Sequence, residues 1–246
     1  MRREERAKSG PAASRARWRW AVALALGMAP GASHAWEVDG DATRMQLEAF
    51  HQSFGVASHL FPRHKAEPLG WTGFEVWVDT SFLPDYAEPA VTGSLPADGL
   101  AASRVGIRKG LPKGITVGVA AGRAGDLDLL DGELEWAILR GAVTKPALAA
   151  RLTVGRAEGA DVYELSRWGA ELMLSKGFGP LTPFVSVGVV RSEADFRPAA
   201  AAAFASRETQ EVLAAGVTFS LLLPRVTVSV EQGEELQAAV RLSFGF

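Results

Sequence analysis

Four histidines are the residues of this sequence best suited to acid–base chemistry or metal binding: His34, His51, His59 and His64. All of them precede the region that alternates with the period of a β-strand, so a Ser-His-Asp hydrolase built on those strands would lack its base. The spacings of eight and five residues between the last three do not place two metal ligands on one helical turn. The sequence therefore predicts no catalytic residue, no metal site and no cofactor. An alternative is that the N-terminal segment folds back and lends His51 or His59 to a site, but we expect these side chains on the polar face of a helix.

Isolated charges of both signs form the second group of chemically capable residues. They fall among Gly, Ala and Ser on one face of the predicted strands, which suits the interior of a narrow closed sheet. We interpret them as ion pairs that fill such an interior, and a transport path is the alternative. The predicted inward-facing charges are Glu75, Asp79, Arg104, Arg108, Glu133, Glu135, Arg151, Arg167, Glu171 and Arg241.

The first 35 residues have the pattern of a secretory signal peptide. Arginines precede a short apolar core at 21–28, Pro and Gly follow it, and Ser33 and Ala35 supply the small residues for cleavage. We predict a signal peptide over 1–35 and Sec-type export. The remaining chain has 19 basic and 26 acidic residues, a net charge of −7, which argues against a nucleic-acid partner. The chain has no cysteine, which excludes thiol catalysis, Cys-bound metals and disulfides.

Residues 36–69 carry a helical pattern. Met45, Leu47, Phe50 and Phe54 lie near helical spacing, and Asp39 or Asp41 is expected to cap the helix. We predict a periplasmic or lumen-plugging helical segment here.

The period changes to two from about residue 70 to the end of the chain, in ten segments that are mostly ~9–12 residues long. One face of each segment is apolar, while the other is rich in small residues instead of the Lys, Glu and Thr of a water-facing sheet. The sequence thus predicts an all-β fold: a transmembrane antiparallel up-and-down barrel of about ten strands over 70–246.

The predicted connections alternate between two kinds. Short connections carry Pro with Lys or Arg, at 109–114, 145–146, 176–183 and 224–225, and acidic, mostly longer ones lie at 83–100, 123–131, 156–164, 192–210 and 232–235. Outer-membrane barrels have short periplasmic turns, longer external loops and both termini in the periplasm, so the acidic set is expected outside. The alanine run at 199–203 is expected to be a short helix or an irregular external loop.

The last strand carries an assembly pattern. Leu242, Phe244 and Phe246 alternate up to the carboxyl end, and a terminal aromatic residue after such a strand is typical of the signal read by the barrel-assembly machinery.

The region resembles a family of small, largely uncharacterised proteobacterial outer-membrane β-barrel proteins, some of which are distantly similar to fatty-acid-channel porins. The likeness lies in AEPLGWTGFEV at 66–76, RKGLPKGITVG at 108–118, ELEWAILRGAVTKPALAARLTVGR at 133–156 and WGAELMLSKGFGPLTPFVSVG at 168–188. It implies a Gram-negative outer-membrane location and no functional residues.

The predicted function is non-enzymatic. It is a narrow pore, or a binder or transporter of small hydrophobic molecules. The alternative is a structural or surface-interaction protein that acts through its external loops, chiefly 83–100 and 192–210. Expected partners are outer-membrane lipid and lipopolysaccharide, the barrel-assembly machinery and periplasmic chaperones.

Overall fold

The computed structural model describes residues 36–39, 41–84, 91–93, 99–142, 144–159, 162–199, 202–221 and 224–246. The predicted signal peptide, with Ser33 and Ala35, lies outside these residues, as do Ala200 and Ala201 of the alanine run.

Ten antiparallel strands close into a barrel, as the alternating pattern predicts. In chain order they are β2 (Phe74–Pro84), β4 (Gly99–Gly110), β5 (Ile115–Ala124), β6 (Leu127–Leu139), β7 (Ala147–Gly159), β8 (Tyr163–Ser175), β9 (Leu181–Phe196), β10 (Phe204–Ser220), β11 (Pro224–Gln232) and β12 (Leu236–Gly245). Each strand pairs with its neighbour in sequence, and the last strand pairs with β2, where Leu242 lies opposite Val78. Closure leaves no unpaired strand edge, which is what a sheet in hydrocarbon requires.

The outer surface of the barrel is apolar. Outward-facing side chains such as Val119, Leu152, Leu172 and Val187 are more than half exposed. In a soluble sheet the apolar face is buried against a second layer. Here the apolar face is exposed, because lipid takes the place of that layer.

The barrel has two different ends, which we name by their connections. The turn end carries the β4–β5, β6–β7 and β8–β9 connections together with Phe246, and the hairpin end carries the β5–β6, β7–β8, β9–β10 and β11–β12 connections. Phe246 exchanges backbone hydrogen bonds with Phe74, at 2.8 and 2.9 Å, so the last residue closes the seam at the turn end.

The strands continue past the apolar belt at the hairpin end. β9 and β10 contain 16 and 17 residues, whereas about 9–11 tilted residues cross a bilayer. Beyond Val189 the outward side chains of β9 become Arg191, Glu193 and Asp195, while the inward ones become Ala194 and Phe196, which are buried. The two faces therefore exchange polarity, as expected where a membrane strand enters water.

This extension corrects four predicted loops. Only Gly125 and Asp126 separate β5 from β6, β7 and β8 reach Gly159 and Tyr163, and much of 192–210 is strand. In 83–100, β2 continues to Pro84, β3 (Val91–Gly93) forms, and β4 begins at Gly99. Acidic residues that suggested loops, such as Asp128, Glu158 and Asp195, instead alternate on the water-facing side of these strands.

Helix α1 (Arg44–Ala57) covers the inside of the hairpin end. Thr43 caps it, not Asp39 or Asp41: the Thr43 side chain accepts from the Gln46 N–H, and the Gln46 side chain accepts from the Thr43 N–H. The predicted helical face is buried at Leu47, Phe50 and Phe54, whereas Met45 is 79% exposed. Phe50 packs on Phe54 and Tyr163 at ring-centroid distances of 5.0 and 5.2 Å. This end of the barrel thus has an apolar core like that of a soluble domain.

The described chain begins at the hairpin end. Strand β1 (Trp36–Val38) pairs antiparallel with β3, which lies in the connection between β2 and β4. Trp36 and Phe246 therefore lie at opposite ends of the barrel.

Candidate functional site

The candidate site is the interior of the barrel, and all ten charged side chains predicted to face inward are buried there. The most exposed of them, Glu133, is only 7% exposed. The structure connects them into three groups through ion pairs.

The first group surrounds Arg108 and Arg151. Arg108 pairs with Glu133 at 2.8 Å and Glu135 at 3.0 Å. Arg151 pairs with Glu133 at 2.6 Å and Glu171 at 2.8 Å. Because these residues come from β4, β6, β7 and β8, the group ties together four of five consecutive strands on the inside, with β5 lying between β4 and β6.

The second group is centred on Asp131, between Arg104 and Arg167. Its two carboxylate oxygens accept from Arg104 Nε at 2.9 Å and Arg167 Nη2 at 2.7 Å. The third group is centred on Asp79, which accepts from Arg241 Nη2 at 2.7 Å. The Arg241 guanidinium also lies 3.8 Å from the centre of the Trp77 ring.

The N-terminal segment supplies a cation to the third group. Arg63 is completely buried and forms a two-point pair with Glu231, at 2.6 and 2.7 Å. Its Nη1 lies 3.0 Å from Asp79 Oδ1. A planar guanidinium that bridges two carboxylates on different strands is among the strongest arrangements for a buried charge.

The backbone of the same segment also contacts the barrel wall. Arg151 Nη1 donates to the Leu60 carbonyl at 2.6 Å, and Arg104 donates to the Ser58 carbonyl. The Ala66 N–H donates to Ser175 Oγ at 3.0 Å. Since Arg104 lies nearer the hairpin end and Ser175 ends β8 at the turn end, residues 58–66 run along the barrel interior.

The buried charges nearly balance. In the described part of the chain the fully buried ionisable side chains, histidines apart, are six arginines and seven carboxylates. The partly exposed Arg225 pairs with Glu75 at 2.5 Å and supplies the seventh cation. An ion-selective pore leaves charges of one sign facing its path, whereas this interior is neutralised by its own side chains.

The histidines are not where we expected them. His51, His59 and His64 are 0%, 1% and 5% exposed, so the prediction of a polar helix face is wrong. His59 Nε2 lies 3.6 Å from Glu171, and His64 Nε2 lies 3.5 Å from Glu135. The period of the helix does not reveal this, because the partners of these histidines come from the barrel.

His51 forms a contact that resembles part of a hydrolase site. Its Nε2 lies 2.9 Å from Ser192 Oγ. Both side chains are essentially inaccessible, and the described residues offer the His51 Nδ1 atom no hydrogen-bond partner to orient it. Burial lowers the pKa of His51 to about 4. A pair that no substrate can reach and that lacks an orienting acid supports packing of α1 on β9, not nucleophilic catalysis.

Glycines on the inner face make room for buried side chains. A Cβ atom built on Gly169 of β8 would lie 2.6 Å from His59 Cε1 of the segment, and one built on Gly155 of β7 would lie 2.2 Å from Asp131 Oδ1 of the wall. The small residues that predicted a narrow interior therefore leave space both for the segment and for the charged side chains of the wall itself.

Three fully buried charged residues of the site were not among the predicted ones: Arg63, Asp131 and Glu231. Asp131 alternates with Glu133, and Glu231 alternates with Ser229, so the two-residue period could have included both. Arg63 lies outside the strands, and no sequence pattern marks it as buried.

Two cavities lie at opposite ends of the barrel. At the turn end a space of about 10 Å³ touches His64, Glu75 and Arg108, which is room for about one water molecule. At the hairpin end an open groove of about 560 Å³ separates α1 from β10 and is lined by Met45, Glu48, Ala49, Gln52, Ala205, Ser206, Arg207 and Glu208.

The described residues contain no group of three or more His, Cys, Asp or Glu side chains placed to hold a metal ion. Their helices include none that is both long and apolar enough to span a membrane.

No protein-family model matches the chain, and no curated protein matches it. Solved structures do: the N-terminal β-barrel domain of Pseudomonas aeruginosa OprF is 13% identical, with 72% of this chain and 99% of that one covered and a TM-score of 0.38. Acinetobacter baumannii outer membrane protein Omp33 is 7% identical over 73% of this chain and 100% of its own, with a TM-score of 0.36. LpxR from Salmonella typhimurium is 12% identical over 85% and 98%, with a TM-score of 0.39. At these values the likeness carries no information about cargo or chemistry.

The closed ten-stranded sheet with its lipid-facing exterior is a transmembrane β-barrel of the outer-membrane type.

Proposed function

We propose that this protein is a non-enzymatic, non-conducting outer-membrane barrel, whose own N-terminal segment fills its interior and whose hairpin end faces the outside of the cell. The observation that best supports this proposal is the ion-pair bridge formed by Arg63. A buried guanidinium from the segment joins Glu231 on β11 to Asp79 on β2, at 2.6 and 3.0 Å. A mobile ion or solute would have to separate these completely buried charges.

The orientation follows from the connections and the last strand. The connections at the turn end carry Lys and Pro, and the hairpin end carries acidic residues, as in barrels with short periplasmic turns. The terminal Phe246 lies at the turn end and would present the assembly signal in the periplasm after Sec-type export.

Transport of small hydrophobic molecules is less well supported. The apolar part of the interior lies at the hairpin end, where Phe50 and Phe54 of α1 already fill it. The groove between α1 and β10 is instead open to the outside, which suits contact with partners or lipopolysaccharide at the surface.

Conductance across a planar bilayer tests the proposal. The mature protein should be electrically silent, and deletion of residues 36–69 should produce steady channels, because the segment is then missing from the lumen. Arg44→Met, which removes an exposed ion pair with Glu48 and a contact with the Phe204 ring at the hairpin end, serves as the control and should stay silent. Steady conductance of the intact mature chain, unchanged by the deletion, would refute a filled lumen.

A further inference from the structure

The segment before the barrel runs through it from end to end. Helix α1 lies at the hairpin end, Leu60 and Arg63 contact the middle of the wall, and Ala66 contacts Ser175 at the turn end. Gly70 O then accepts from the Gly73 N–H, immediately before β2 begins. The chain therefore enters β2 from the inside of the barrel, at the turn end.

The length of the segment agrees with a crossing. Residues 58–70 number thirteen, and at about 3.3 Å per residue they span about 40 Å when extended. The hydrocarbon layer is roughly 30 Å thick. No regular helix forms in this stretch, and its backbone carbonyls at Ser58 and Leu60 are satisfied by wall arginines, as backbone at membrane depth requires.

We infer that residues 58–70 cross the outer membrane inside their own barrel, so that Trp36 and helix α1 lie on the cell surface while Phe246 lies in the periplasm. This inference rests on the proposed orientation. β1 pairs with β3 at the hairpin end, so the chain immediately after the predicted cleavage site is held outside and not returned to the periplasm.

The arrangement also constrains assembly. The segment immediately precedes β2, and β2 closes the barrel against β12. Arg63 is buried against both β2 and β11. Drawing it through an already closed barrel would carry its charge past the other buried charged side chains. The N-terminal residues must therefore pass to the hairpin end before or while β12 joins β2. A short module attached before Trp36 would be displayed at the surface by the same route.

Cysteine labelling on intact cells tests this directly, because the protein has no cysteine of its own. Asp41→Cys probes the N-terminal segment, Glu235→Cys probes the β11–β12 hairpin, and Lys113→Cys probes a short turn; all three positions are exposed. The reagent is a membrane-impermeant maleimide, applied to intact and to lysed cells. Each variant is first checked for heat-modifiable gel migration, and Met45→Cys replaces Asp41→Cys if the latter does not fold.

We expect Asp41→Cys and Glu235→Cys to be labelled equally on intact cells, and Lys113→Cys only after lysis. Labelling of Glu235→Cys without Asp41→Cys would overturn the crossing. Labelling of Lys113→Cys alone would overturn the orientation and with it this inference. Neither labelling result depends on conductance. A barrel that is silent but keeps its N-terminal segment in the periplasm can therefore be distinguished from a barrel that conducts.

Discussion

Arg63 is the residue on which the filled interior most depends. A buried ion pair adds little over an apolar core of the same volume, but removal of one partner leaves an uncompensated charge and costs about 3–5 kcal/mol. Asp79 would keep Arg241, whereas Glu231 would keep, within the described part of the chain, only the hydroxyl of Ser229. The loss should therefore come mainly from Glu231.

We predict that Arg63→Met lowers the free energy of unfolding by about 3 kcal/mol, measured by urea titration of the protein refolded in detergent micelles. Arg44→Met removes a pair whose side chains are 66% and 42% exposed, and should change it by less than about 1 kcal/mol. Equal effects of the two variants would contradict a structural role for the buried bridge.

His51 should make stability depend on pH. Its pKa is lowered to about 4 in the folded protein, against about 6.5 when unfolded. Between these values the unfolded state binds a proton that the folded state does not, so stability is complete above about pH 6.5 and falls as the pH drops toward 4.

For this one group the predicted loss is at most about 3 kcal/mol. Urea titrations between pH 7 and pH 4 should show it, and His51→Gln, which keeps a polar side chain beside Ser192, should flatten the profile by that amount. Parallel profiles for the two proteins would show that His51 does not contribute.

At the scale of elements, α1 is held by its apolar face more than by its own helix propensity. Phe50 is completely buried against Phe54 and Tyr163, and loss of a buried Phe side chain costs about 3–5 kcal/mol. We predict that Phe50→Ala releases α1 from the hairpin end, so that trypsin cleaves after Arg44 in the otherwise folded barrel. Met45→Ala, at an exposed position of the same helix, should leave cleavage unchanged. Resistance of both variants to trypsin would mean that other contacts hold the helix.

The last strand offers a test of assembly. Phe246 is 73% exposed at the turn end while its backbone closes the seam with Phe74. We expect Phe246→Asp to reduce the amount of protein in the outer membrane, because the terminal aromatic is lost as a recognition signal while both backbone hydrogen bonds can remain. Phe178→Asp changes another exposed aromatic, 62% accessible, at the same end and should have little effect. Normal levels of the Phe246 variant would contradict the assembly prediction.

For the whole molecule, the closed sheet should resist detergent. Because all ten strands are paired around the ring, we expect the unboiled mature protein to migrate differently from the boiled one in a denaturing gel. Identical migration, together with solubility in the absence of detergent, would contradict a membrane barrel.

The sequence by itself determined the barrel. Alternation with a period of two is a local property. It places the side chains of Glu133, Glu135 and Arg151 on the inward face without knowledge of their partners. The same two-residue period continues beyond the part of the barrel that faces lipid. The polar residues there led to the prediction of loops, whereas the structure has the water-facing ends of β6 to β10.

Only the tertiary structure decided what fills the barrel. The burial of Arg63, His59 and His64 depends on groups that lie far away in sequence, such as Glu231 and Glu171, and no local pattern encodes those distances. The capping residue of α1 was likewise decided by geometry at Thr43, although the helix itself was predicted by its apolar spacing. The sequence fixes the faces of the strands because each residue carries its own solvation preference, whereas the path of residues 58–70 is set by charge pairing that exists only once the sheet has closed.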